Sequence, residues 1–177
     1  MRNIKRIIAY FKNHGVFVLL PLLSYVLFSV IIKSELTDFY AYSYAFFFYL
    51  FLLFSVFYFV TYQTEKIFSH IENSNGRFKF LAHTLGIVFF LSLTFSSYYW
   101  CLFDYNSESF LNVKKESGVF VFLDFVFYSF GVFVMNNASE IKVNSMYAKL
   151  FVGTEMFTAF ITLILILSNF KDLKFKS

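Results

Sequence analysis

Four polar side chains share the six-residue stretch Met135-Asn136-Asn137-Ala138-Ser139-Glu140, directly after the largely apolar run from Asp124 to Val134. Two amides, a hydroxyl and a carboxylate at that spacing can ligate a cation through side-chain oxygens. A carboxylate there also raises the local cation concentration. The plainer reading is a polar turn, which Asn-Asn favours, followed by an ordinary exposed acid. Two more acids, Asp124 and Glu155, fall inside apolar segments, where an ionisable group is costly and is a functional candidate by default. Asp124 has a structural alternative near the start of its run, where a helix dipole favours an acid. Glu155 either lines a cavity or braces a neighbouring loop through Asn or backbone donors. Gly153 can let helices approach closely.

Other chemistries find no support. His14, His70 and His83 are far apart and lack a second ligand at metal spacing. His83 reads as a packed or interfacial histidine. Cys101 is the single cysteine, so no intramolecular disulfide is possible. The chain has no glycine-rich nucleotide loop, HExxH or Gly-x-Ser-x-Gly. The expectation is a protein that is not an enzyme and uses no cofactor and no metal.

The elements that must position these residues are membrane elements. Of 177 residues, 59% are apolar, including 30 Phe and 13 Tyr, well above the 45–50% or so of soluble domains. Apolar runs of about 20 residues match the hydrocarbon thickness of a bilayer. Such runs place spans at about Val16–Ile32, Phe39–Tyr62, Phe80–Phe103 and Ala148–Phe170. Pro21 lies near the start of the first, where it is tolerated. The third ends in Ser96-Ser97-Tyr98-Tyr99-Trp100-Cys101-Leu102-Phe103, which reads as an aromatic belt at the membrane–water boundary. Residues 1–14 put Ile4, Ile7, Ile8 and Phe11 on one face, as in a short interfacial helix. A basic flank that only fixes orientation fits them equally. No small-x-small cleavage site follows the first apolar run, so it is expected to be retained rather than removed as a signal peptide.

Charge then fixes the topology. Segments 1–14, 63–79 and 171–177 carry Arg2, Lys5, Arg6, Lys12, Lys66, Arg77, Lys79, Lys171, Lys174 and Lys176; segments 33–38 and 104–117 carry only Lys33, Lys114 and Lys115. The positive-inside rule puts both termini and the 63–79 loop in the cytoplasm, which requires an even number of crossings. A crossing by 118–134 would make five and bury Asp124 in hydrocarbon. A re-entrant segment restores the parity: it enters as a helix, turns near Met135 and returns non-helically to the outer face. Non-helical backbone at membrane depth survives only inside protein or along a water-filled cavity.

The stretch from Leu123 to Leu167 resembles the pore region of tetrameric potassium-channel-like proteins, in which pore helix, filter and inner helix follow in one run. Asp124 falls on that family's leading acid, Phe127 and Tyr128 on its aromatic pair, and Ser129 on its serine. Glu140 and Ile141 match the pair that closes the filter, Ala148-Lys149-Leu150 the start of the inner helix, and Glu155 its glutamate. The departure lies in the filter: Met135–Glu140 replaces T-V-G-Y-G-D, so the glycines that orient backbone carbonyls toward potassium are missing. Ala159 occupies the usual mid-helix hinge position.

The resemblance implies a single-domain (1–177), all-α membrane protein. It would have four transmembrane helices, a re-entrant pore helix and loop before the last of them, and fourfold homo-oligomeric assembly. Function is then expected to be a weakly cation-selective channel of a bacterial inner membrane. The ten cytoplasmic Lys and Arg named above could bind an anionic nucleotide or oligonucleotide by phosphate neutralisation, as in effectors of antiphage defence that depolarise the cell. The alternative is a non-conducting immunity protein against a pore-forming bacteriocin, with 118–146 as its recognition loop.

Overall fold

The computed structural model describes residues 19, 22, 23, 26, 38–72, 77–113, 118–136 and 139–170. Four helices account for most of them: α1 (Asp38–Glu72), α2 (Arg77–Tyr105), α3 (Gly118–Phe133) and α4 (Met146–Phe170). Their sequences are apolar nearly all round, and a helix is the element that pairs its backbone internally when no water is at hand. Two stretches among the described residues are long and apolar enough to cross a bilayer, Leu81–Tyr105 in α2 and Met146–Ser168 in α4. They coincide with the third and fourth expected spans. The first expected span lies outside the described residues except for Leu19, Leu22, Leu23 and Val26. The second is embedded in α1, which continues to Glu72, so much of the expected 63–79 loop is helix.

α2 is the central element. Ile87, Leu91, Phe95, Tyr98 and Tyr99 are fully buried along it. α1 lies antiparallel to α2: Tyr62 meets His83 at 5.5 Å between ring centroids near one end, and Phe48 meets Tyr98 at 4.6 Å near the other. His83 is thus packed against an aromatic ring. α3 also runs antiparallel to α2. Gly118 starts it beside the Trp100 ring, Phe125 packs on Phe103 at 5.8 Å, and Phe130 reaches Phe89 at 6.1 Å. α4 closes the bundle through Phe151, which contacts Phe48 and Tyr98, and through a 2.8 Å bond between the Tyr49 hydroxyl and Thr154 Oγ1.

Outward faces are as apolar as the core. Phe46, Phe54 and Phe57 on α1, Val119 and Phe127 on α3, and Met156, Phe157 and Leu167 on α4 are all exposed. Water-soluble monomers rarely expose contiguous apolar surface on this scale.

One element was absent from the helical expectation. After α2, Asn106 caps a short 3₁₀ turn (Ser107–Ser109), its side chain accepting from the Glu108 N–H at 3.0 Å. Strand β1 (Phe110–Leu111) follows and pairs antiparallel with β2 (Lys142–Val143), Phe110 opposite Val143 and Leu111 opposite Lys142. These two rungs tie together both ends of the excursion that contains α3.

Candidate functional site

The excursion leaves as a helix and, in its described residues, returns as non-helical chain. Sixteen residues of α3 advance about 24 Å at 1.5 Å per residue. Residues 134–141 must then return to β2, and an extended chain of that length covers about 26 Å. The lengths match, so α3 and its return segment form a closed loop with both feet at the β1–β2 pair.

The turn at the tip is a helix C-cap. Asn136 N–H donates to the Gly131 carbonyl at 2.8 Å, and Met135 N–H to the Val132 carbonyl at 3.1 Å. This is the doubly bonded arrangement that ends helices with a left-handed residue, and Met135 has φ 53°. Glycine usually holds that position because a side chain is strained there. The sequence placed the turn at Met135, and the backbone reverses there. Gly131 has a separate necessity: a Cβ on it would lie 2.8 Å from the Asn136 carbonyl oxygen.

The returning chain is pinned at several points. Asn112, itself at φ 63°, donates its amide to the Glu140 carbonyl at 3.1 Å. The Asn144 amide donates to the Glu108 carbonyl at 2.9 Å, and its N–H to the Ser109 carbonyl at 2.9 Å. Ile141 is buried. Ser145 then caps α4, its Oγ accepting from the Ala148 N–H at 3.2 Å.

Among the described residues one acid is fully buried, Glu155 on α4. The Tyr99 hydroxyl of α2 donates to its Oε2, and the Ser129 hydroxyl of α3 donates to its Oε1. One carboxyl therefore ties three helices together, and the helix of the excursion is one of them. The expectation that Glu155 would brace the loop through Asn or backbone donors is corrected: hydroxyls from two other helices do so. Tyr99 and Tyr98 correct the aromatic-belt reading as well. Both are fully buried, because Tyr98 faces α1 and α4 and Tyr99 faces α3 and α4 rather than the bundle's exterior.

The remaining sequence candidates separate. Asn136 and Glu140 are exposed and Ser139 is half-buried. Ser139 Oγ accepts from the Ile141 N–H at 3.2 Å, the local turn bond that serine commonly makes. Asn137 and Ala138 lie outside the described residues. Asp124 is half-buried in the second turn of α3, whose first turn holds no acid. It is therefore too far along to complement the helix dipole, which fades within the first turn. Gly153 is exposed, and a Cβ on it would meet nothing within 4 Å, so it mediates no close helix approach within the chain. Of the basic candidates, the Lys66, Arg77 and Lys79 backbones are helical. Their side chains lie outside the described residues, as do Arg2, Lys5, Arg6, Lys12, Lys171, Lys174 and Lys176.

Between the end of α3, the return segment and α4 lies a groove of about 630 Å³. Met135, Asn136 and Ser139 form its rim, and Val152, Met156 and Phe160 its α4 wall. The groove brings the sequence-predicted turn residues to α4, while Glu155 stands behind the wall. Sequence reasoning missed Tyr99 and Gly131 and gave Ser129 no role. The available signal was a lone acid in an apolar helix, which demands hydroxyl or amide partners elsewhere in the chain.

Comparison with protein-family models, curated proteins and solved structures returned no match.

Proposed function

We infer that the chain is the pore-forming subunit of a weakly selective cation channel in a bacterial inner membrane, assembled as a homotetramer with α3 as a re-entrant pore helix. The observation that carries this reading is the closed excursion: a helix and a non-helical return whose feet are tied by β1 and β2. At membrane depth such backbone has to be enclosed by protein or bordered by a water-filled cavity. The return segment borders the groove, and neighbouring subunits would complete the enclosure.

Side chains rather than carbonyls then set selectivity, because Met135–Glu140 holds no glycine. Exposed Glu140, repeated around a fourfold axis, would form an outer carboxylate ring that favours cation entry. Control by a cytoplasmic anionic nucleotide or oligonucleotide, in an antiphage role, rests on the basic residues of the sequence alone.

The test is reversal potential in planar bilayers under salt gradients. Potassium and sodium should permeate within about tenfold of each other, a difference of about 1.4 kcal/mol or less. Glu140→Gln should lower cation conductance most at low ionic strength, where the ring's field is least screened. Glu140→Lys should weaken or reverse the preference for cations over anions. Conductance indifferent to Glu140 would remove the ring from the mechanism. A purified protein that is monomeric and passes no current would favour the bacteriocin-immunity alternative.

A further inference from the structure

Asp124, Lys149 and Gly153 are left over once the contacts inside the chain are made. Asp124 is half-buried on α3 and Lys149 is exposed on α4, and among the described residues neither side chain takes part in a hydrogen bond or ion pair. Each interrupts an apolar helix, where a charge without a partner is costly. Gly153 follows Lys149 by four residues, which puts both on one face of α4. It is exposed, and a Cβ on it would meet nothing within 4 Å, although glycine weakens a helix interior. Phe127 is its converse. It follows Asp124 by three residues on one face of α3, and its ring is 73% exposed, the most of any large hydrophobic residue among those described. One helix thus offers an acid with a projecting ring beyond it, the other a base with a bare patch beyond it.

The two pairs stand at matching heights. α3 begins beside Trp100, near the end of α2, and α4 begins where the Ser145 N–H donates to the Ser109 carbonyl at 3.3 Å, just after α2. Both helices therefore start at one end of the bundle and run the same way. The Ser129–Glu155 bond sets them level. Phe127 and Gly153 each precede that bond by two residues, about 3 Å at 1.5 Å per residue. Asp124 precedes it by five residues and Lys149 by six, about 7.5 and 9 Å. Copies inserted in the same orientation are related by rotation about the membrane normal, and such a rotation keeps every residue at its own depth. A residue on α3 of one copy therefore stays level with its counterpart on α4 of the next.

We propose that copies of the chain associate side by side through α3 of one and α4 of the next, with the Asp124 carboxylate paired to the Lys149 ammonium and the Phe127 ring seated over Gly153. Phe120 and Leu123 beside the acid, and Leu150 and Met156 beside the base, are exposed and extend the contact as apolar surface. Charge and shape both favour a second copy over lipid as the occupant, because hydrocarbon gives neither ion a partner and has no use for a bare glycine. The surfaces on the two sides differ, so the contact is heterologous, and its repetition about an axis along the membrane normal closes a ring. The inference deepens the assembly part of the channel reading and rests on that reading for copies sharing one orientation in a membrane; conduction plays no part in it.

Cross-linking in membranes tests this interface. Two full-length chains with different tags are co-expressed in the Cys101→Ser background, one carrying Asp124→Cys and the other Lys149→Cys. Mild oxidation should give the mixed-tag disulfide dimer several-fold above the same-tag products. It should also exceed a control that pairs Lys149→Cys with Phe54→Cys on the exposed face of α1. The oligomeric fraction, read by size exclusion with light scattering in detergent, supplies the second measurement. Asp124→Lys and Lys149→Asp should each lower it several-fold, and the two changes in one chain should restore it. Gly153→Leu should lower it without lowering the unfolding midpoint of the monomer, because the new side chain enters open space within the chain. Loss in both single charge variants without restoration in the double overturns the pairing. An oligomer that ignores the charge changes and cross-links elsewhere overturns the interface and leaves the channel reading standing. A chain that stays monomeric in membranes overturns both.

Discussion

The Glu155 knot and the Met135–Glu140 return segment are both polar interruptions of apolar chain, and they are handled in opposite ways. Glu155 is enclosed, and each of its oxygens accepts from a hydroxyl on a different helix. Along the return segment the backbone does the holding, through the Asn136, Glu140 and Ile141 main-chain bonds. The Asn136 and Glu140 side chains stay exposed. A buried acid left without partners would cost several kcal/mol, so its surroundings must be complete and its role is positional. A segment secured mainly through its backbone leaves the exposed Asn136 and Glu140 side chains available to ions, solvent or another copy of the chain. The contrast separates what holds the excursion in place from what the excursion presents.

The largest way to break that contrast is to empty the knot. Glu155→Ala strands the Tyr99 and Ser129 hydroxyls and opens a cavity, and should destabilise the protein by about 3 kcal/mol or more. Glu155→Gln keeps the shape and one acceptor oxygen, and should cost about half as much or less. Thermal unfolding followed by fluorescence-detected size exclusion measures both. Equal losses for the two variants would mean that the second carboxylate oxygen, rather than the side chain's shape, carries the effect.

Next in size is the tip of the excursion. Gly131→Ala forces a Cβ against the Asn136 carbonyl and should cost about 1–3 kcal/mol. Met135→Gly should act in the other direction. It relieves a left-handed residue worth about 1–2 kcal/mol against a glycine entropy cost of about 0.5–1 kcal/mol, for a net gain of up to about 1.5 kcal/mol. The same unfolding assay reads both changes. A stabilising Gly131→Ala would show that the turn repacks freely.

The smallest stability effect sharpens the comparison most. Glu140→Gln alters an exposed side chain and should move stability by no more than about 0.5 kcal/mol, even where it changes ion passage. If it destabilised the protein as much as Gly131→Ala does, the return segment would depend on its side chains as well as its backbone.

Much of this architecture could be read from the residues. The stretch 118–134 is short for an ordinary span, and Gly118–Phe133 forms a 16-residue helix whose chain turns back at Met135. The two long apolar helices were evident from run length alone, since hydrophobicity over 20 residues is a local property. The extension of α1 to Glu72 was not evident. Polarity in the 63–72 stretch signals an end to the membrane run but does not end a helix.

The composition and order of residues by themselves determined the helical class, the apolar exterior, the position of the turn and the presence of a costly acid at Glu155. Each follows from local periodicity, backbone preference or solvation, which a residue carries wherever it is placed. Only the tertiary structure decided which partners satisfy that acid, that Tyr98 and Tyr99 point inward, and that β1 finds β2 across 30 residues of intervening chain. Those outcomes depend on how helices register against one another. Packing shape and the pairing of buried polar groups set that register between residues far apart in sequence, and it leaves no mark on either stretch alone.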